Sequence, residues 1–322
     1  MTAPLVVILG PTASGKSSLA LHLAKSFSGE IVNCDSVQVY RSLDIGTSKP
    51  TRQERIDVRH HLIDVVDPDR LFTAGDYLVQ GRAAVSEIWG RHLLPIVAGG
   101  TGLYLRALLA GLFNGPKRSE VLRSRLNKIV GRRGLSHLHS VLHRIDPVSA
   151  RRISINDKPK VIRALEVFFL TSKPLSWHFD SGRTPLQGFK ILKIGLNPPR
   201  KSLYEAIDRR VEEMFANGLV EEVQSILNRG FSPGLKALNS LGYAQVVRHL
   251  QGELSLAETL DLTQRETRHY AKRQLTWFRK ENEVFWFDGF GSNPIVQMSA
   301  QSRVQAFLNC FQGVVQTPGG KG

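Results

Sequence analysis

Short apolar runs alternate with longer amphipathic stretches through the first third of the chain. Each apolar run is bounded by polar or turn-forming residues, which is typical of a buried strand. The predicted strands are Leu5–Leu9, Glu30–Cys34, His61–Val65 and Leu93–Ala98. Ser17–Phe27 and Tyr77–Trp89 are predicted to be helices. This alternation predicts an α/β fold, a doubly wound parallel sheet with helices on both faces.

The middle of the chain has a different character. Residues 117–187 are helical in pattern and polar, with turn signals at Gly131, Gly134 and Asp146 followed by Pro147. Residues 190–196 (KILKIGL) again look like a strand of the sheet. We therefore predict a core formed by 1–116 and 188–315, with an inserted helical subdomain at 117–187.

The last third is predicted to be mostly helical. The helical pattern continues from Pro199 to about Asn282, interrupted by a loop at Gly230–Pro233, and a short strand follows at Val284–Phe287. Residues 316–322 (QTPGGKG) are small and polar, so we expect a disordered tail.

The first strand leads into a glycine-rich phosphate loop. Residues 10–17 (GPTASGKS) fit the pattern G-x-x-x-x-G-K-[ST] between a strand and a helix, which is the P-loop arrangement. Backbone N–H groups in such a loop point at an anion, and the helix N-terminus adds partial positive charge. The alternative is a glycine-rich turn that only caps the helix. The residues predicted to bind a diphosphate or nucleotide are Gly10, Pro11, Thr12, Ala13, Ser14, Gly15, Lys16 and Ser17.

Lys16 and Ser17 have separate expected tasks in that loop. Lys16 supplies a positive charge for the terminal phosphate, and the Ser17 hydroxyl suits Mg²⁺, the cofactor we expect.

Two further segments follow predicted strands, where doubly wound sheets place their active sites. Asp35 directly follows Glu30–Cys34 and could bind Mg²⁺, act as a base or cap a turn. Thr101 stands among three glycines in 98–104 (AGGTGLY), which allow another backbone to approach closely. A simple nucleotide hydrolase would end that strand in an acidic residue. Asp64 is a weak substitute, so the pattern argues against simple hydrolysis.

Charge points to a polyanionic partner. The 322 residues carry a net charge of +15, and 117–163 alone holds 13 Lys and Arg residues against three acids, a net charge of +10. A surface for a nucleic-acid backbone explains this better than an ordinary solvated face, which mixes signs. A second basic cluster at 265–280 includes Tyr270, Trp277 and Phe278, which suits unpaired bases, although Trp277 and Phe278 could equally be core residues.

The remaining composition is that of a cytoplasmic protein. Cys34 and Cys310 have no metal-ligand or disulfide spacing. A core strand begins within four residues of the start, which leaves no room for a signal peptide, and no apolar run is long enough to span a bilayer.

Six motifs together resemble the bacterial tRNA dimethylallyltransferases, also called tRNA isopentenyltransferases, in order and spacing from Leu5 to about Lys280. They are GPTASGKS at 10–17, DSVQVYRSLDIGTSKP at 35–50, AGGTGLYLRALL at 98–109, NDKPKVIRALEV at 156–167, NSLGYAQ at 239–245 and RQLTWFRK at 273–280. Ser17 stands where the family usually has Thr, which keeps the hydroxyl. Residues 158–160 (KPK) replace the commoner Pro-Gln-Arg.

The resemblance implies a P-loop NTPase-like fold, activity and site residues. The substrates would be dimethylallyl diphosphate and the exocyclic amine of the adenosine 3′ of a tRNA anticodon, in a monomeric enzyme. Asp35 would be the general base, with Thr101 and Arg210 as the other catalytic residues. The implied tRNA-binding residues are Asp35, Ser36, Val37, Gln38, Thr101, Arg123, Pro159, Lys160, Val161, Ile162, Arg163, Gly242, Tyr243, Lys272, Arg273, Gln274, Trp277 and Arg279.

Three other classes compete with this interpretation. A small-molecule or nucleotide kinase would be expected to have a near-neutral charge. An isopentenyltransferase acting on free adenine nucleotides would not need the basic insertion. A non-catalytic RNA-binding NTPase would bind tRNA without modifying it.

Overall fold

The computed structural model describes residues 2–180 and 182–311, so the predicted tail at 316–322 lies outside the described residues. The strands are β1 (Ala3–Leu9), β2 (Gly29–Asn33), β3 (His60–His61), β4 (Leu94–Gly99), β5 (Phe189–Leu196) and β6 (Val284–Phe287). The helices are α1 (Lys16–Ser26), α2 (Arg52–Asp57), α3 (Ala74–Gly90), α4 (Gly102–Ala110), α5 (Glu120–Ile145), α6 (Pro147–Arg152), α7 (Lys158–Thr171), α8 (Leu175–Asp180), α9 (Arg200–Ala216), α10 (Leu219–Asn228), α11 (Tyr243–Leu250), α12 (Leu256–Phe278) and α13 (Pro294–Asn309). No helix within the described residues is long and apolar enough to cross a membrane.

The six strands form one parallel sheet in the order β3-β2-β4-β1-β5-β6. Alternate residues of β1 enter two different apolar cores: Leu5, Val7 and Leu9 pack on one face, and Val6 and Ile8 on the other. Since both faces are covered by helices, the predicted α/β doubly wound fold is confirmed.

Most predicted strands lie within two residues of their observed ends, and Val284–Phe287 is reproduced in full. The strand predicted at His61–Val65 is wrong beyond His61. Leu62 and Asp64 have positive φ values of 62° and 56°, a left-handed conformation that cannot continue a β-ladder. The turn predicted at Gly131 is also wrong, because Gly131 lies inside α5; that helix kinks at Gly134, where φ is 80°.

Helix α13 was not predicted. Its side chains Val296, Ala300, Val304 and Leu308 repeat every fourth residue and are buried in the core on the α1 side of the sheet. The signal was available, since Asn293 caps the helix and Pro294 occupies its first turn.

The chain separates into two compact units. Among the described residues, the core unit consists of 2–109 and 186–311, and the helical unit of 110–180 and 182–185. The helical unit has its own apolar core, which includes Leu126, Leu142 and Leu165 from α5 and α7.

Candidate active site

The phosphate loop follows β1 and ends at the start of α1. Gly15 adopts φ 82° as the N-cap and offers no side chain to the N–H groups of the first turn. These N–H groups have no partner within the helix, so they are available to an anion. The loop is supported from behind by Gly291, whose N–H donates to the Ser14 carbonyl at 2.9 Å. A Cβ on Gly15 would come within 2.8 Å of the Gly291 nitrogen, so this position requires glycine.

Lys16 is folded over this loop, and its Nζ donates to the Pro11 carbonyl at 2.6 Å. Burial lowers the pKa of Lys16 to about 7, and the positive charge of Arg210 acts in the same direction, whereas Asp35 opposes both. An anion bound in the loop would raise this pKa and keep the ammonium group charged.

Asp35 and Thr101 follow the neighbouring strands β2 and β4. The Oδ1 atom of Asp35 accepts from the N–H groups of Val37 at 2.8 Å and Gln38 at 3.3 Å, and the Thr101 hydroxyl accepts from the Ser36 N–H at 3.0 Å. Within the described residues Oδ2 of Asp35 has no hydrogen-bond partner. Asp35 therefore caps a turn with one oxygen and keeps the other for a different contact.

Arg210 projects from α9 toward the same place. Its Nε donates to the Ser48 hydroxyl at 2.9 Å, while the neighbouring Arg209 is exposed. Burial lowers the pKa of Arg210, and the charge of Asp35 raises it. The structure thus brings together Lys16 and Asp35, which lie in two of the six motifs, with Arg210, which lies outside all of them.

The glycines before Thr101 allow close approach of another backbone at Gly99, as predicted, and of a side chain at Gly100. A Cβ on Gly99 would overlap the Cys34 carbonyl, and a Cβ on Gly100 would overlap the amide of Gln274. Gln274, predicted to bind tRNA, is buried on α12, where Oε1 accepts from the Thr12 N–H at 2.8 Å and Nε2 donates to the Gly100 carbonyl at 2.9 Å. Its side chain therefore joins two loops of the site.

The other aromatic and basic residues of α12 divide into two groups. Phe278 is a core residue, and the partly buried ring of Trp277 is covered by the Arg106 guanidinium at 4.4 Å. Three predicted tRNA-binding side chains at the end of this helix are exposed, namely Lys272, Arg273 and Arg279.

Four predicted tRNA-binding positions elsewhere have limited access to a ligand. Tyr243 is fully buried, and Gly242 precedes it as the N-cap of α11. Val161 and Ile162 are buried in the core of the helical unit, so a contact with RNA there would have to use backbone atoms.

The helical unit presents an open groove of about 510 Å³ beside the start of α7. Pro159 lines it together with Arg118, Arg123 and Lys158. Arg123 is also paired with Glu166 at 2.8 Å, and so is Arg163 at 2.6 Å, whereas the exposed Lys160 forms an ion pair with Asp157. Of the basic side chains that line the groove, Arg118 and Arg123 are held in ion pairs, and Lys158 has no carboxylate within ion-pair distance among the described residues.

Glu166 is the buried counter-charge of this unit. Burial by itself would raise its pKa, but hydrogen bonds from Arg123 and Arg163 and from the Ser119 N–H lower the pKa to about 2. We expect Glu166→Gln to lower the free energy of unfolding at pH 7 by about 3–5 kcal/mol, because two guanidinium groups lose their partner. The folded pKa lies below the ordinary value, so this stabilisation is complete above about pH 5 and is lost as the pH falls toward 2.

Denaturant unfolding followed by fluorescence at pH 7 and pH 3 measures this effect. Glu120→Gln is the control, since Glu120 is an exposed partner of Arg118 and should cost less than about 1 kcal/mol. Equal losses in the two variants, or a loss in Glu166→Gln that does not shrink at pH 3, would contradict the assignment.

Three residues near the site have no individual role predicted from the sequence. Lys49 is 2% exposed and its Nζ contacts Asp44 and Asp64, each at 2.6 Å, which commits Asp64 to a structural ion pair. Burial raises the pKa of Tyr270, and the nearby charge of Asp35 acts in the same direction. Glu222 accepts three backbone N–H groups. Lys49 lies in the motif at 35–50, whereas Glu222 lies in none of the six motifs.

Comparisons with known proteins agree on one family. The IPP transferase family model matches residues 38–281. A tRNA dimethylallyltransferase of Solibacter usitatus is 53% identical over 305 residues, which are 95% of this chain and 99% of the relative. One of Koribacter versatilis is 52% identical, covering 92% of this chain and 96% of that protein.

Solved structures extend the likeness to three dimensions. The full-length tRNA isopentenylpyrophosphate transferase of Bacillus halodurans is 37% identical with a TM-score of 0.71, covering 95% of this chain and 97% of that one. A eukaryotic dimethylallyltransferase acting on tRNA is 27% identical with a TM-score of 0.78, covering 99% of this chain and 81% of that one.

Proposed function

This chain belongs to the IPP transferase family, and we propose that it transfers a dimethylallyl group from dimethylallyl diphosphate to the N6 amine of the adenosine 3′ of a tRNA anticodon. The observation that carries the proposal is the convergence of an uncapped helix N-terminus, Lys16 and Arg210 with the carboxylate of Asp35. The first three suit a diphosphate leaving group, and the carboxylate suits an amine nucleophile.

The chemistry divides between the two sides of the site. The allylic C–O bond breaks and its electron pair leaves with the diphosphate, whose charge is stabilised by loop N–H groups, Lys16 and Arg210. The N6 lone pair forms the new C–N bond. Because that lone pair is delocalised into the adenine ring, the amine needs orientation and loss of a proton, which passes to the free Oδ2 of Asp35. The Thr101 hydroxyl, fixed by the Ser36 N–H, holds the amine or the diphosphate.

Mg²⁺ fits the proposed site as a partner of the diphosphate. Ser17 is exposed at the start of α1, and the described residues contain no group of three or more His, Cys, Asp or Glu side chains suited to a metal. Mg²⁺ commonly takes few protein ligands and many from phosphates and water. Ser17 would hold it beside the diphosphate, and the bound ion would supply further neutralisation of the leaving group.

The tRNA would meet two basic surfaces. In the core unit, Lys272, Arg273 and Arg279 are exposed near α12 residues that contact the phosphate and Thr101 loops. In the helical unit, exposed Arg132 and Arg133 have no carboxylate within ion-pair distance among the described residues. Unpaired positive charges of this kind suit a phosphate backbone, and the single-stranded anticodon loop allows its adenine to be splayed out.

Binding of tRNA should therefore weaken steeply with salt. Each phosphate contact should contribute about 0.7–0.9 to the negative slope of log affinity against log salt. Reversing Arg132 and Arg133 to Glu should reduce that slope and weaken tRNA binding, with little effect on the rate at saturating tRNA. Reversal of Arg52 and Arg70, two exposed arginines of the core unit, is the matched control. A salt-independent dissociation constant, or an equal effect of the control, would contradict the proposal.

The kinase alternative makes a different prediction about turnover. Prenyl transfer releases one diphosphate per modified tRNA and consumes no ATP, so ATP and tRNA together should release no ADP. Release of ADP in step with product would favour the kinase interpretation.

We also propose that the protein acts as a monomer in the cytoplasm. Both described cysteines, Cys34 and Cys310, are free thiols, as suits a reducing compartment.

A further inference from the structure

The segment Asp44–Lys49, here called the DIGTSK loop, is held at its start by a carboxylate from a distant helix. Glu222 of α10 accepts from the N–H groups of Asp44 at 3.0 Å, Ile45 at 2.8 Å and Gly46 at 3.4 Å. Three successive backbone donors on one carboxylate form an anion-binding arrangement that the protein itself fills.

Tyr243 completes this anchor. Its buried hydroxyl donates to Glu222 Oε1 at 2.6 Å, and its ring lies directly under Gly46, where a Cβ would come within 2.5 Å of Tyr243 Cε2. The start of the loop is thus fixed by hydrogen bonds on one carboxylate and by contact with one buried ring.

The end of the same loop accepts hydrogen bonds from two side chains of the candidate site, Arg210 and Gln38. The Ser48 hydroxyl accepts from Arg210 Nε at 2.9 Å, and the carbonyls of Thr47 and Ser48 accept from the Gln38 amide at 3.0 and 3.3 Å. Arg210 therefore depends on this loop for its neutral hydrogen-bond partners. Glu222 and Arg210 contact opposite ends of one short loop.

We propose that Glu222, together with Tyr243, is a positioning residue that fixes the DIGTSK loop and thereby aims Arg210 at the diphosphate. The inference rests on the proposed function, because it assigns the diphosphate to Arg210. It gives Tyr243 a role inside the protein, in place of the direct tRNA contact that the sequence resemblance implies.

The charge and shape of the carboxylate are both needed for this task. A glutamine at position 222 has one acceptor oxygen in place of two, and its NH₂ group would face backbone donors. The loop would then relax, and Ser48 would no longer hold the guanidinium in place. We expect Glu222→Gln to weaken binding of inorganic pyrophosphate with Mg²⁺ by about tenfold, as for the loss of one charge-assisted hydrogen bond. Its affinity for tRNA should stay within twofold of the unmodified protein.

The experiment is calorimetric titration of pyrophosphate, with a double-mutant cycle against Arg210→Ala. If Glu222 acts through Arg210, Glu222→Gln should cost less than twofold further in the Arg210→Ala background. Losses that multiply in the double variant would show a separate structural effect and overturn the proposal. Glu221→Gln is the control, because Glu221 is exposed in the same helical turn and its substitution removes the same charge.

Two further arms keep the outcomes distinct. Should Glu222→Gln fail to fold, Tyr243→Phe removes a single hydrogen bond and enters the same cycle, with a smaller expected loss. If the unmodified protein binds no pyrophosphate, the proposed function itself fails. If the unmodified protein, Glu222→Gln and Tyr243→Phe all bind pyrophosphate equally well and all transfer the dimethylallyl group normally, the positioning role is wrong and the proposed function stands.

Discussion

Replacing Lys16 by alanine is expected to lower the rate of prenyl transfer by at least about 10²–10³-fold, the typical cost of removing one preorganised charge-stabilising group. Lys16 is the first residue of α1 and is folded over the phosphate loop, and burial together with Arg210 lowers its pKa to about 7. A bound diphosphate supplies negative charge and so favours the charged form of Lys16. The interaction that Lys16→Ala removes is therefore stronger when the charged leaving group is bound than in the free protein.

Binding of tRNA should survive in Lys16→Ala, because the proposed phosphate-backbone contacts lie on other elements. Single-turnover transfer and a gel-shift titration on the same preparation separate the two effects. Lys25→Ala is the control: Lys25 lies on the same helix but forms an exposed ion pair with Asp57, and its loss should change neither quantity by more than twofold. A loss of tRNA affinity as large as the loss of rate would contradict this division of labour.

Replacing Asp35 by asparagine is expected to lower kcat by about 10²–10⁴-fold, the usual range for a general base. The KM values for both substrates should stay within a few-fold. The structure makes this substitution informative, because the N–H groups of Val37 and Gln38 bond to Oδ1, which asparagine retains. The turn therefore persists, and only the free Oδ2 loses its ability to accept a proton.

A Mg²⁺ titration of Asp35→Asn at saturating tRNA separates the three roles of this carboxylate. A base predicts a low rate at every Mg²⁺ concentration. A metal ligand predicts that excess Mg²⁺ restores much of the rate, and a turn cap alone predicts a nearly silent substitution. Full activity of Asp35→Asn would show that Asp35 takes no part in the chemical step.

The centre of the sheet was largely predictable because β1, β2 and β4 are short, apolar and buried. The failures can be traced to particular residues. The pattern of His61–Val65 carries no sign that Leu62 and Asp64 adopt positive φ. Asp64 forms ion pairs there with Lys49 and Arg55, which the pattern also does not indicate. Periodicity alone therefore overextended that strand.

The candidate site was predictable where its residues lie in motifs that follow strands, as Lys16, Asp35 and Thr101 do. Residues that act from a distance were not predictable in the same way. Glu222 carries no motif, and the buried roles of Gln274 and Tyr243 depend on which loops α12 and α11 pack against. Sequence spacing indicates neither contact, because each joins segments far apart in the chain.

The most direct measurement is transfer of label from radiolabelled dimethylallyl diphosphate to bulk tRNA in the presence of Mg²⁺, with nuclease digestion to locate it. We predict that label appears in RNA, on the N6 amine of the adenosine 3′ of the anticodon, with one diphosphate released per group transferred. Labelling of free adenine nucleotides but not of tRNA, or release of diphosphate with no label in RNA, would contradict the proposed function.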